Sequence, residues 1–176
     1  LRAIFHMGSA CPIWLKQAWV DLIGAEKLQE SYGSSEAVGY THISGPDWLE
    51  HQGSVGRAGD GDLKILDAEF NEVAAGEIGE IFFRPKHYPR PTYAYIGSAP
   101  AKTTPDGYMS VGDMGHVDGD GYLYIADRRT DLIISGGVNI YPAEVEAVLT
   151  EHAAVGDAAV VGLPDEDWGR RVHAIV

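Results

Sequence analysis

The sequence predicts an α/β fold that carries a β-rich, barrel-like subdomain and, toward its C-terminal end, part of an α+β domain. Three observations predict it. A strand-like run leads into a helix whose apolar residues fall near a 3.6-residue period; the middle of the chain is a series of short runs punctuated by Gly, Pro and Asp; and the C-terminal stretch reads strand, helix, strand, strand.

Residues 1–6 read as a short strand. Pro12 to Ile23 reads as a helix with Ile13, Leu15, Trp19 and Leu22 on its apolar face, and Gly24 is its stop. Between Gly53 and Tyr124 the runs Leu63–Leu66, Gly79–Phe83 and Gly121–Ile125 read as strands of a small all-β region. The proline-rich stretch Pro85 to Thr104 has little periodicity and reads as a long surface loop. Beyond Asp131 the pattern is a strand (Leu132–Ser135), a Gly136-Gly137 turn, a helix (Pro142–Thr150) and two strands (Ala158–Leu163, Arg171–Val176). Pro142 suits the first helical position, where its missing N–H costs nothing, and Glu144 and Glu146 suit the positive helix start. The resulting division is 1–47 as the end of a large α/β subdomain, 48–129 as the barrel-like subdomain, and 130–176 as the start of a C-terminal α+β domain.

Composition bounds the partners. With 176 residues and 45% hydrophobic content the chain is long enough to bury a core. A formal net charge of −13 repels a phosphate backbone, so nucleic acid is not expected as a partner. Cys11 is the single cysteine, which excludes an internal disulfide and fits a cytoplasmic location, and no apolar run approaches a transmembrane segment. The chain opens on an apolar stretch without Met and ends on Val172-His173-Ala174-Ile175-Val176, so both ends read as breaks in a longer protein.

The densest chemistry lies in Tyr32-Gly33-Ser34-Ser35-Glu36. An aromatic ring can stack on a base, hydroxyls and amides can hold phosphate, and a carboxylate can hold Mg²⁺ beside it. Alone, these five residues are better explained as a polar loop beside a core tyrosine. Asp113 and Arg128 could grip a ribose together, or be a turn aspartate and a surface arginine. Asp118-Gly119-Asp120-Gly121 resembles the middle of a Ca²⁺ loop, but His116 and Asp127 stand where such a loop needs Asp and Glu, so a hairpin turn is expected. The seven histidines show no paired-ligand spacing, which argues against a zinc-type site.

The order of the motifs carries more than any one of them. Gly8-Ser9-Ala10-Cys11-Pro12, Tyr32-Gly33-Ser34-Ser35-Glu36, Gly53-Ser54-Val55-Gly56-Arg57 and Gly76-Glu77-Ile78-Gly79-Glu80-Ile81 come first. Gly107-Tyr108-Met109-Ser110-Val111-Gly112-Asp113, the run Asp127 to Gly137 and Asn139-Ile140-Tyr141-Pro142-Ala143-Glu144 follow. The series closely resembles the acyl-adenylate-forming superfamily of acyl-CoA synthetases, nonribosomal-peptide adenylation domains and firefly luciferase, over nearly the whole chain.

The resemblance implies a fragment of the adenylating-enzyme fold and an acid:CoA ligase. Such an enzyme activates a carboxylic acid with ATP and Mg²⁺ to acyl-AMP and pyrophosphate, then forms acyl-CoA and AMP with coenzyme A as co-substrate. It further implies that Tyr32 stacks on adenine, that Ser35 bonds phosphate, that Glu36 holds Mg²⁺, and that Asp113 and Arg128 reach the ribose. Ser31 and Gly33 flank the stacking ring, Ile125 lines the adenosine site, and Gly8, Ser9 and Ala10 pass between acyl pocket and adenine. Gly136 and Gly137 match the loop along the pantetheine path, and Thr130 falls at the hinge where Asp or Lys is usual. Two blocks of the family pattern have no counterpart: a Ser/Thr/Gly-rich loop ending in Lys, and a Gly-Lys block. Lys102 is the last lysine, so this chain alone is expected not to complete adenylation. The alternatives are an adenylation domain serving a carrier protein and a noncatalytic AMP-binding or interaction module. The acid and the oligomeric state are left open by the sequence.

Overall fold

A computed structural model describes residues 1–9, 11–87, 93–94, 96, 102–128 and 131–176. The chain forms two compact units, one of Leu1–Val111 with Gly115–Ile125 and one of Gly112–Met114 with Ala126–Val176.

The first unit begins with a βαβ arrangement. Strand β1 (Ile4–His6) leads through helix α1 (Ile13–Ile23) to strand β2 (Leu28–Gly33), which runs parallel to β1 with His6 opposite Glu30. The Pro12 carbonyl accepts from the Leu15 and Lys16 amides at 3.1 Å to start α1, and Gly24, at φ +88°, stops it. The start and stop are those expected, but the buried face is not. Lys16 and Val20 are buried whereas Ile13 and Leu22 are exposed, because the helix turns Lys16 inward toward a carboxylate on β2.

Strand β3 (Tyr40–Ser44) pairs antiparallel with β2 and with β4 (Arg57–Ala58). Between β3 and β4 lies helix α2 (Gly45–Glu50), where the Ser44 hydroxyl accepts from the Asp47 amide and Pro46 occupies the first turn. Trp48 of α2 packs with Val20, Leu28, Ile43 and Tyr122 in one apolar cluster. The β3–β4 connection turns at Gly56: at φ +98° a Cβ there would meet the His42 carbonyl oxygen at 2.0 Å, so no side chain fits.

The remaining strands of this region are β5 (Asp62–Leu66), β6 (Gly79–Arg84), β7 (Lys102–Thr103), β8 (Met109–Ser110), β9 (Asp113–Val117) and β10 (Leu123–Arg128). They form a six-stranded sheet in the order β10-β9-β6-β8-β7, with β5 also paired to β6. The barrel-like region is thus a sheet that does not close on itself. Its core is Val38, Ile65, Ile81, Phe83, Met109 and Leu123. Of the expected loop Pro85–Thr104, residues 88–92, 95 and 97–101 lie outside the described residues, and Lys102–Thr103 is strand because it pairs with β8. The expected turn at Asp118 is present, with the Asp118 amide donating to the Tyr122 carbonyl at 3.0 Å.

In the second unit, strands β11 (Ile133–Ser135) and β12 (Val138–Ile140) form a hairpin closed by Gly136-Gly137. Positive φ at both glycines, +57° and +83°, is the geometry of a type I′ turn, whose twist matches its flanking strands. Because the turn makes a hairpin, the residues after it are a strand that the sequence pattern did not suggest. Helix α3 (Pro142–Thr150) follows, then the antiparallel pair β13 (Ala159–Asp165) and β14 (Gly169–Ile175). Glu146 of α3 accepts from the Val160 amide at 2.7 Å, fastening the helix to β13. No helix among the described residues is long and apolar enough to cross a membrane.

Candidate functional site

Parallel strands joined by a helix leave a crevice beyond their carboxyl ends, and ligands of α/β sheets bind there. The carboxyl ends of β1 and β2 carry Gly8-Ser9 and Tyr32-Gly33. A pocket of about 160 Å³ opens at this place, lined by Gly8, Ser9, Cys11, Lys16, Glu30, Ser31, Tyr32, Gly53, Val55 and Ile125. Five residues expected to bind nucleotide, Gly8, Ser9, Ser31, Tyr32 and Ile125, therefore share one cavity. Ala10 lies outside the described residues.

Tyr32 is half-buried at the end of β2, with its ring centroid 6.3 Å from that of Phe83, so its ring is braced from the core side. Ser31 shares a hydrogen bond of 3.2 Å with His42 on β3. Beyond Gly33 the chain turns, with the Ala37 amide donating to the Ser34 carbonyl at 3.0 Å. That turn presents Ser35 exposed and Glu36 half-buried, outside the pocket lining. The Ser34 hydroxyl oxygen is buried without a hydrogen-bond partner among the described residues. An orphaned donor and a carboxylate in one turn suit a bound polar group.

Asp113 and Arg128 lie together in the second unit, with Arg128 Nε 3.5 Å from an Asp113 carboxylate oxygen. The Asp113 side chain is 13% exposed and that of Arg128 75%, so the guanidinium stays available to a further acceptor. Gly136 and Gly137 form the β11–β12 turn in the same unit. The expected hinge residue, Thr130, lies outside the described residues.

Sequence reasoning missed three features. Lys16 and Glu30 line the pocket as a buried ion pair, with His6 Nδ1 3.2 Å from the second Glu30 oxygen. The signal was present, since Glu30 stands two residues before Tyr32, on the same face of a strand. Asp127 accepts from the Ala143 amide at 3.0 Å and so caps α3 from a distant point in the chain. Trp168 packs over the Gly136 turn, as described below. Electrostatically, burial pushes the Cys11 thiol up; Lys16 opposes this and Glu30 adds to it.

Two family models match the chain: "AMP-binding enzyme" over residues 1–88 and "AMP-binding enzyme C-terminal domain" over residues 144–176. Among curated relatives, a long-chain-fatty-acid–CoA ligase of Bacillus subtilis is 40% identical over 178 residues, covering 100% of this chain and 31% of the relative. A fatty acid–[acyl-carrier-protein] ligase of Streptomyces coeruleorubidus is 44% identical over 115 residues, covering 64% of this chain and 22% of the relative. Among solved structures, o-succinylbenzoate CoA synthetase of Bacillus subtilis in complex with its acyl-adenylate intermediate gives a TM-score of 0.85 at 35% identity, covering 99% of this chain and 36% of that one. The same synthetase with ATP and magnesium ion gives 0.81 at 34%, covering 98% and 36%. The chain thus spans about a third of the length of the proteins it matches from end to end.

Proposed function

The chain belongs to the AMP-binding enzyme family, and from that premise we propose that it is the nucleotide-handling segment of an acid:CoA ligase. The carboxylate of the acid attacks the α-phosphate of ATP, giving acyl-AMP and releasing pyrophosphate. The thiol of coenzyme A then displaces AMP to give acyl-CoA. The ligase matches and the complexes of the similar synthetase support this reading. Its division of labour assigns 1–47 to the end of the large ATP- and acyl-binding subdomain, 48–129 to the β-rich subdomain and 130–176 to the mobile C-terminal domain, in a cytoplasmic enzyme.

The observation that carries the proposal is the shared cavity of Gly8, Ser9, Tyr32 and Ile125 at the carboxyl ends of two parallel strands. Tyr32 offers a ring face to adenine, and Gly8-Ser9 leaves the opposite side open to a flat ligand. Asp113 accepts from ribose hydroxyls while Arg128 donates to the same sugar. Ser35 donates to phosphate and Glu36 holds the magnesium ion, which would neutralise phosphate charge as pyrophosphate leaves. Gly137, beside which an added Cβ would meet nothing within 4 Å, gives the pantetheine arm an open surface next to the Trp168-covered Gly136.

The test is a chimera in which these residues replace the matching segment of the Bacillus subtilis ligase. Acid-dependent pyrophosphate release followed by CoA-dependent AMP release supports the proposal; a chimera that folds and binds AMP but releases no pyrophosphate makes the segment a noncatalytic AMP-binding module. The Streptomyces match favours a second reading, in which a carrier-protein thiol replaces CoA. AMP release that requires holo-carrier protein and ignores CoA would decide for it.

A further inference from the structure

Side chains alternate between the two faces of a strand, so Ser31 and Tyr32 present to opposite sides of the end of β2 although both line the pocket. Strand register extends the Ser31 face across three strands. Phe5 of β1 lies opposite Gln29, His42 of β3 lies opposite Ser31, and Tyr40 stands two residues from His42 on the same side of β3. Ser31 Oγ and His42 Nδ1 share a hydrogen bond of 3.2 Å. Strands β1 and β3 flank β2 and so lie about 9–10 Å apart, two strand spacings. The Phe5 and His42 rings nevertheless stack, with centroids 6.1 Å apart and planes at 25°, so the two side chains lean toward each other over β2. Phe5 is 56% exposed and Tyr40 47% exposed.

The bond between Ser31 and His42 leaves a defined remainder. For a neutral ring, if the Ser31 hydroxyl donates, the ring proton sits on Nε2; if Nδ1 donates, the hydroxyl proton is free and Nε2 accepts. Either way the pair keeps one donor and one acceptor beyond the bond it makes. Phe5 and Tyr40 surround this polar point with aromatic surface, which is the make-up of a site for an organic molecule oriented by one oxygen-bearing group. Ser31 joins the surface to the pocket. In a ligase the acid must reach the α-phosphate while the nucleotide is in place, and a base stacked on Tyr32 leaves the Ser31 side of β2 to the acid.

We propose that the Ser31–His42 pair determines specificity for the acid, and that the acid is a hydroxy acid: its carbon skeleton packs on Phe5 and its hydroxyl, a few carbons from the carboxyl, bonds the pair. A hydroxyl uses both the free donor and the free acceptor. An oxo group uses the donor alone, and a plain hydrocarbon leaves both covered and unpaired. The inference rests on the acid:CoA ligase reading and names the substrate class within it.

The experiment titrates the whole chain calorimetrically with AMP, with pentanoyl sulfamoyl adenosine as a stable acyl-adenylate analogue, and with its 3-, 4- and 5-hydroxypentanoyl forms, with thermal melts alongside. One hydroxypentanoyl isomer is expected to bind roughly fivefold or more tighter than the pentanoyl analogue, the scale of one or two neutral hydrogen bonds. H42F keeps a ring against Phe5 but has no nitrogen; it leaves the Ser31 hydroxyl unheld and should at least halve that ratio. S31A/H42F should bring the two affinities within about twofold. H42Q, whose amide both donates and accepts, should retain part of the preference, which a loss of packing alone would not restore. If the double variant melts early, H42F decides the matter by itself, since His42 lies on an exposed sheet face. A wild-type chain that prefers no isomer, or an unchanged ratio in H42F, overturns the proposal, while continued binding of AMP and the pentanoyl analogue leaves the ligase reading standing. Failure to bind AMP or any analogue overturns the ligase reading, and this inference with it.

Discussion

The Gly136 amide donates to the Trp168 carbonyl oxygen at 2.9 Å, and the Trp168 ring occupies the space a side chain on Gly136 would need, with Cε3 2.4 Å from an ideal Cβ. The β11–β12 turn is therefore locked against the β13–β14 turn by a backbone hydrogen bond and by the absence of a methyl group. Gly136→Ala should destabilise the second unit by about 1–3 kcal/mol, combining a left-handed alanine with displacement of the indole. Trp168→Ala in the same chain should return part of that loss. Urea unfolding followed by circular dichroism measures both, and additive losses would show that the ring is not the obstacle.

Asp127 bears on the helix start. Its carboxylate accepts from the Arg128 amide at 2.7 Å and, with its other oxygen, from the Ala143 amide at 3.0 Å. Asp127→Ala should cost about 1 kcal/mol, the usual worth of an N-cap, and should raise hydrogen exchange selectively in the first turn of α3. Uniform exchange across the unit would count against a capping role.

The Asp118 carboxylate carries a pH dependence. Burial works to raise it, but the Tyr122 and Asp120 amides, with His51 and Tyr124, outweigh burial and hold it below the ordinary value of 3.8. A carboxyl group depressed on folding stabilises the protein above its unfolded value, and that contribution vanishes as the pH falls through the folded one. Asp118→Asn should lower stability by about 1 kcal/mol at pH 7. As the pH falls through the folded value the difference from wild type should shrink toward zero, as denaturant unfolding curves taken at stepwise lower pH would reveal.

Substitutions at the pocket proposed for nucleotide separate function from stability. Tyr32→Ala should weaken AMP binding roughly tenfold through lost stacking, whereas Tyr32→Phe should retain most of it. Calorimetric titration of both reads this directly; equal loss in both would place the hydroxyl, not the ring, at the ligand.

Arg128→Ala removes one partner of an ion pair whose guanidinium is largely exposed. It should change stability by less than about 0.5 kcal/mol while weakening AMP several-fold. Unchanged AMP affinity would remove Arg128 from the site.

Features set by neighbouring residues were legible in the sequence. The Asp118 turn, the Gly136-Gly137 turn and α3 follow from residue types that fix positive φ or a helix start, and all three are present. Strands made by distant partners were not. Leu28 to Tyr32 carries Gln, Glu and Ser, reads as polar, and becomes strand because β1 and β3 flank it. Lys16 was invisible for the same reason: a lysine on a helix reads as a solvent-facing residue until its carboxylate partner on β2 is known. At the site, Gly8, Ser9, Ser31, Tyr32 and Ile125 could be named from motif order, but their meeting in one cavity depends on the parallel register of β1 and β2.

The contacts of Leu123 bear on how the protein is made. Its carbonyl accepts from the Val55 amide at 2.9 Å and from the Ser54 hydroxyl at 2.8 Å, and its amide donates to the Gly56 carbonyl at 2.8 Å. During translation, the segment Ser54–Gly56 emerges well before the residue that completes its pairing. A nascent chain halted ahead of Leu123 therefore holds an unsatisfied edge and an unfilled core, since Leu123 is fully buried in the cluster around Ile81 and Phe83. The core of the first unit is therefore completed only by a residue translated late, a long-range contact of the kind that slows folding.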